Sequence, residues 1–306
     1  MFTLRFDMRA PTWGAPIEDL YAAAIEMGAW AESRGAVVAV LSEHHATEDR
    51  HLPSPLVLAA AMAARTETLP ILVAAAVLPF YEPVRMAEDM AVLDIISRGR
   101  VAYVLGIGHR KEEYDHFGLE WSGRGDAADV QLERLLELVA STTRTPQFFI
   151  GGGSLAAARR AGRFGLGLIA QAATPALTGT YEQACRESGH EPGFVQIPEP
   201  GQATVMFVAD DVDRAWAELG SHLLHDAMTA ASYRHGETSV ASISTATTVD
   251  ELRDDPSYRI VTADDATELV RGGAILPLLP LCAGLAPDVA WPYLQRAADA
   301  VARARA

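Results

Sequence analysis

The sequence predicts an α/β protein of the (β/α)8 TIM-barrel class, with an insertion before the last strand. Three observations carry this expectation. Short β-rich runs alternate with helical patterns almost from end to end, giving about eight βα units. Several strands are unbroken apolar runs, as at 37–41, the pattern of parallel strands covered on both faces. The 306 residues match the span that such a barrel fills as one domain, so 1–306 reads as a single unit.

The elements follow in order. Residues 2–8 form the first strand and 17–33 a helix whose Leu20, Ala24, Met27 and Ala31 make one apolar stripe, ended by Gly35. Strand 37–41 leads to a helix over 53–66 opened by prolines. Strand 71–78 leads to helix 84–97, stopped by Gly99, and then to strand 101–107. Helix 126–141, strand 147–150, helix 154–164, strand 166–170 and helix 176–188 continue the alternation. The seventh strand is 203–208 and its helix 212–227. Between about 228 and 264 the pattern breaks into a polar, Ser- and Thr-rich stretch, read as a lid or insertion. Helix 264–271, a last strand at 274–281 and helix 287–303 close the chain.

Composition removes several functions. Forty acidic against 25 basic side chains leave a net charge of −15, a field that repels nucleic-acid backbones and anionic bilayers. An anionic cofactor must therefore be met by local donors. The two cysteines, Cys185 and Cys282, form no CxxC pair, so no disulfide framework or zinc cluster is expected and the cytoplasm is the default compartment. The N-terminus lacks a basic-then-apolar leader, and no uninterrupted apolar run is long enough to span a bilayer.

In a barrel of this class the chemistry sits on loops at the C-terminal ends of the strands. The second strand ends in Ser42-Glu43-His44-His45 and the third in Pro79-Phe80-Tyr81-Glu82-Pro83. The fourth ends in Gly106-Ile107-Gly108-His109-Arg110-Lys111-Glu112-Glu113 and the fifth in Gly151-Gly152-Gly153-Ser154. Ser154 reads as the N-cap of a helix; the glycines before it let amides approach a phosphate, or they form an ordinary capped loop. His44 and His45 stand beside Glu43, so one imidazole can move protons, or both can be hydrogen-bonded structural residues. A metal site drawn from His44, His45, His51 and His109 is a weaker reading, because adjacent residues on a strand point to opposite faces. Arg85, Glu88 and Asp89 read as helix-surface ion pairs, and Trp13, Trp121, Trp216 and Trp291 chiefly as packing residues.

The ordered set is more telling than its parts. Glu43-His44-His45, then VLPFYEPVRMAEDMAVLDIISRGR (77–100), then GIGHRKEEYDHFG (106–118), resembles the signature of the bacterial luciferase-like monooxygenases. The closing segment PLCAGLAPDVAWPYL (280–294) resembles that family's last loop and helix. The likeness covers most of the chain and is strongest over 36–118 and 146–170.

The resemblance implies a barrel binding reduced FMN, or in one branch the deazaflavin F420, at the strand ends. The ring would lie against a bulge after the third strand with a non-proline cis peptide, at Ala74-Ala75. His44 matches the family's catalytic histidine, moving protons around a C4a-peroxyflavin formed with O2; Glu113 matches an acidic position near the mouth, and Glu43 stands beside both histidines. The phosphate would sit on Ser154 and the amides of Gly152 and Gly153, with Gly106 and Gly108 lining the seat. Where luciferases offer an arginine to the phosphate this chain has Ile107, and at their reactive cysteine it has Gly106, so Arg110 or Arg124 would neutralise the charge. A small organic substrate, a separate flavin reductase and a homodimer packed through the second and third helices are implied as well. An F420-dependent hydride-transfer enzyme, a non-catalytic flavin-binding protein and a metal-dependent hydrolase are the rival readings.

Overall fold

The computed structural model describes residues 1–141, 144–233 and 243–306. Part of the expected insertion (234–242) and part of the loop before the fifth strand (142–143) lie outside the described residues. The chain opens with β1 (Phe2–Phe6), α1 (Ile17–Ala31), β2 (Ala36–Leu41), α2 (Pro55–Arg65), β3 (Ile71–Val77) and α3 (Pro83–Ser97). It continues through β4 (Val101–Gly106), α4 (Lys111–Phe117), α5 (Arg124–Ala140), β5 (Gln147–Gly151), α6 (Leu155–Arg163), β6 (Gly167–Ile169) and α7 (Ala176–Glu187). Then come β7 (Val195–Gln196), β8 (Val205–Ala209), α8 (Val212–Ser232), α9 (Val249–Arg253), β9 (Tyr258–Thr262), α10 (Ala263–Arg271), β10 (Leu276–Leu278) and α11 (Pro287–Arg305).

All described strand pairings are parallel, in the order β7-β6-β5-β4-β3-β2-β1-β10-β8-β9. First and last strands therefore lie side by side within the sheet, with Phe2 opposite Leu276 and Leu4 opposite Leu278, so the two ends of the chain share its middle. The expected α/β class is observed, with ten described strands where about eight units were counted. The two extra strands, β7 and β9, were not foreseen. β7 is two residues long, and β9 lies inside the stretch read as irregular. Within that stretch α8 also runs on to Ser232, and α9 is a short helix capped by Thr248.

The core forms where each helix lays its apolar stripe on the sheet. Leu20, Ala24, Met27 and Ala31 of α1 are buried, as are Met86, Met90 and Leu93 of α3 and Trp216, Leu219 and Leu223 of α8. One residue of the long motif is explained by the scaffold: Arg100, just before β4, donates to the carbonyls of Ser97, Leu69, Ala63 and Thr66 and to the Thr66 hydroxyl. It ties α2 and α3 together at the N-terminal end of the barrel, away from the chemistry. Among the described residues no helix is long and apolar enough to cross a membrane.

Candidate active site

Four strand ends meet on one rim. The third is irregular: the pairing of β3 with β4 shifts between Ala74 and Ala76, where the Ala74-Ala75 peptide is cis. The shift turns the Ala75 methyl toward its neighbours' ends. A Cβ built on Gly106 would lie 3.2 Å from it, and one on Gly151 would lie 3.6 Å away. The ends of β3, β4 and β5 thus form a floor from which side chains are missing, the shape that admits a flat ring.

His44 stands at the end of β2, half-buried, with Glu113 as its partner. Nδ1 is 3.0 Å from Glu113 Oε1, and the same oxygen accepts from the His45 amide at 3.0 Å and from Arg110 Nη1 at 3.1 Å. A carboxylate accepts only, so Nδ1 carries the proton and Nε2 keeps its lone pair. Burial lowers the His44 pKa; the hydrogen bond and charge of Glu113 raise it part of the way back, and the smaller effects of Arg9 and Arg110 act with burial, so the net direction is down. Burial by itself would raise Glu113, but the bonds from His44 and the His45 amide, with Arg110, outweigh it and hold the carboxyl below its usual value. Glu113 sits on α4, a seven-residue charged helix too short to be read from periodicity, entered one residue after Arg110 and closed by Gly118 in the left-handed region. Its Oε2 is buried without a partner.

Glu43, expected beside His44, does not touch it. Oε1 pairs with His45 Nε2 at 2.8 Å, and Oε2 accepts from the Val77 amide and the Tyr81 hydroxyl, each at 2.9 Å. With three partners inside the protein it stitches the ends of β2 and β3 and orients His45, whose ring stands edge-on to Phe80 and Phe117. Arg110, a candidate for a phosphate, is likewise engaged. It is buried, bonds the His45 carbonyl and Glu113, and lies over the Tyr233 ring at 4.1 Å.

The phosphate candidates divide. The Ser154 hydroxyl accepts from the Ala157 amide at 3.2 Å and caps α6, as expected of an N-cap. Gly152 is already committed, since its amide donates to the Ile169 carbonyl at 3.3 Å. Gly153 must lack a side chain because a Cβ there would fall 2.6 Å from that of Ala172. Gly108, in the left-handed region at φ +73°, packs under Val77 and Tyr114 instead of opening onto the rim. Arg124 stacks 3.5 Å over Trp121, and its Nε is buried without a partner. Arg160 of α6 bonds the Gly125 carbonyl at 3.0 Å, which brings the start of α5, and Arg124 with it, beside α6.

A family model described as luciferase-like monooxygenase matches residues 5–145, which hold the end of β1 through α5 and the His44–Glu113 pair. This stretch belongs to the luciferase-like monooxygenase family. Over 98 residues the chain is 38% identical to an alkanal monooxygenase alpha chain from a Kryptophanaron alfredi symbiont, a match covering 32% of this chain and 28% of that protein. It superposes along its full length on the full length of monooxygenase RslO1 from Streptomyces bottropensis, with TM-score 0.77 and 18% identity. The oxygenating constituent of 3,6-diketocamphane monooxygenase from Pseudomonas putida, solved with FMN, gives TM-score 0.72 at 18% identity over 99% of this chain and 98% of that one. An F420-dependent secondary alcohol dehydrogenase gives 0.59 at 16% identity over 94% and 97%. At these identities the structural likeness establishes the fold.

The rim also holds residues that sequence reasoning missed. Arg9, just past β1, bonds Asp49 at 2.6 Å and the Tyr233 hydroxyl at 3.1 Å, and it neighbours Asp7 and Asp226. Tyr233 lies 5.1 Å from the His44 ring, and His51, named from the sequence only for a metal site, lies 4.4 Å from it. The rule that favours polar residues just past a strand would have found Asp7 and Arg9; Tyr233 carried no local signal. Trp13, expected to pack, is 52% exposed. Arg85 pairs on the surface with Glu88 and Asp89 as expected. Among the described residues no group of three or more His, Cys, Asp or Glu is placed to hold a metal ion. A cavity of about 570 Å³ lies at the other end of the barrel, bordered by Pro70, Arg100 and Pro146, each just before a strand; it is far from His44 and takes no part in the rim.

Proposed function

We propose that the chain is a flavin-dependent monooxygenase that takes reduced FMN from a separate reductase and uses O2 to oxidise a small organic molecule. The observation that carries this reading is the floor at Ala75, Gly106 and Gly151 beside a buried His44–Glu113 pair. The residues present fit the cofactor: a bare floor for the ring, the first turn of α6 for the phosphate, and an orphaned donor on Arg124 at the start of α5, which Arg160 ties to α6. Bound reduced flavin would supply the electrons for oxygen. His44 then holds or accepts a proton at Nε2, while Glu113 fixes the tautomer and Arg110 holds Glu113. Glu43 and His45 keep the rim in register. Gly106, Gly153 and Ser154 serve the cofactor in this reading, and Gly108 shapes the loop beneath.

The proposal includes a homodimer and a cytoplasmic setting, in keeping with two buried free cysteines. Titration of the flavin-free protein with FMN, reduced FMN and F420, followed by fluorescence, tests the cofactor. Tight binding of reduced FMN with O2 consumption is expected. Preference for F420 would transfer the site to hydride chemistry, flavin binding without turnover would make it a carrier, and no binding in any redox state would overturn it.

A further inference from the structure

The turn by which α8 outruns the expected helix has a use at the rim, because it ends on Tyr233. Two turns earlier His225 Nε2 pairs with Asp49 Oδ2 at 3.0 Å, and His222 Nδ1 donates to the Ala283 carbonyl at 3.0 Å. These bonds, with buried Trp216, Leu219 and Leu223, fix the course of α8 and so the place where its last residue lands.

Tyr233 is buried, and its ring is shared. The ring centre lies 5.1 Å from that of His44, tilted by 42°. The Arg110 guanidinium stands 4.1 Å over the ring and that of Arg9 5.2 Å, while the hydroxyl accepts from Arg9 Nη1 at 3.1 Å. An aromatic face attracts cations, most strongly where water is excluded. Each guanidinium is also tied to a carboxylate, Arg9 to Asp49 and Arg110 to Glu113. A phenol supplies both the face and the acceptor oxygen, and an aliphatic side chain supplies neither. Burial raises the pKa of this phenol against the pull of Arg9 and Arg110. The hydroxyl therefore keeps its proton near neutrality, and Tyr233 carries none to the reaction.

We infer that Tyr233 is a positioning residue for His44: its ring covers one side of the imidazole and holds Arg9 and Arg110 in place beside it. This rests on the flavin reading, in which His44 moves the proton, and adds a residue of α8 to that task. Around the imidazole stand Glu113, Arg110, His109, His51, Arg9 and Tyr233. Burial is the largest influence on His44 and disfavours its charged form, Glu113 opposes burial, and the two guanidinium groups act with it. Loss of the Tyr233 ring uncovers the imidazole and lets both guanidinium groups swing away. Both changes favour the imidazolium.

NMR titration of histidine-labelled full-length protein tests this, with the His44 signal assigned by its loss in His44→Ala. In the wild type His44 should titrate below 6.5. Tyr233→Phe keeps the ring and should leave that titration in place. Tyr233→Met fills a similar volume without an aromatic face, and the ratio of charged to neutral His44 at pH 6 should rise about threefold or more. If Tyr233→Met does not fold, Tyr233→Leu against Tyr233→Phe decides on the same ground. A wild-type titration at or above 6.5, or one that coincides in the Phe variant and the variant without a ring, would overturn the inference. A residue that only filled space would lower the melting temperature in both aliphatic variants and leave them titrating with Tyr233→Phe. Reduced FMN added to the same samples separates the two claims. No binding sinks the flavin reading, whereas FMN binding with an unmoved His44 titration sinks the role of Tyr233 alone.

Discussion

His44 depends on its neighbours more than on its position in the chain. Burial and two nearby guanidinium groups keep its ring uncharged near neutrality, and Glu113 leaves the free lone pair on Nε2. If this residue moves the proton, the acidic limb of the rate–pH profile lies below the ordinary histidine value of 6.5. Glu113→Gln removes the charge that favours the imidazolium, so that limb should move to still lower pH, and His44→Ala should slow turnover by about 10²-fold. A limb that stays in place in Glu113→Gln would leave Glu113 a structural residue. Asp7 behaves in the opposite sense. Burial and the Asp226 charge push its carboxyl up to about 6, against the pull of Arg9 and Arg5. The folded chain thus keeps a proton that the unfolded chain releases near 3.8. This contribution to stability is complete below 3.8 and is lost as pH rises to about 6. Thermal melts of Asp7→Asn should therefore gain on the wild type as pH climbs through that window; a constant difference would show that Asp7 is already ionised in the folded chain.

Strand ends and helix starts divide the work between them. β3, β4 and β5 contribute a floor by what they lack, and α6 contributes the orphan amides of its first turn behind Ser154. Ala75→Leu places a branched side chain on that floor, where Gly106 and Gly151 leave room for it. FMN affinity should fall about tenfold or more, with little change in melting temperature. Unchanged affinity would put the ring elsewhere. α4 is the element that makes the pair with His44, and it was read only as part of a motif. Seven residues give two turns at most, so no periodicity can announce it.

Helices α2 and α3 leave apolar side chains on the outside of the monomer. Val57, Val92 and Ile95 are 72%, 57% and 76% exposed, whereas Met62, Met86 and Met90 of the same helices are buried. A net charge of −15 makes copies of the chain repel one another, and an exposed apolar face of this kind is what would overcome that repulsion where two copies meet in the proposed dimer. Light scattering should give a dimer for the wild type and a monomer for Ile95→Glu. A monomeric wild type would remove the proposal.

The sequence by itself determined the alternation of strands and helices, most of their ends, and the strand tips on which polar residues gather. Those features rest on apolar periodicity, prolines, glycines and caps, which act within a few residues of one another. It also placed His44, Glu113, Ala75 and Ser154 on one rim through the order of motifs. Only the tertiary structure decided which carboxylate meets His44, because Glu43 and Glu113 compete for donors across 69 positions and the choice depends on how α4 lands. The same holds for Arg9, Asp49 and Tyr233, brought together from β1, the β2 loop and the end of α8. Contacts between distant residues are set by packing, and no local pattern records them.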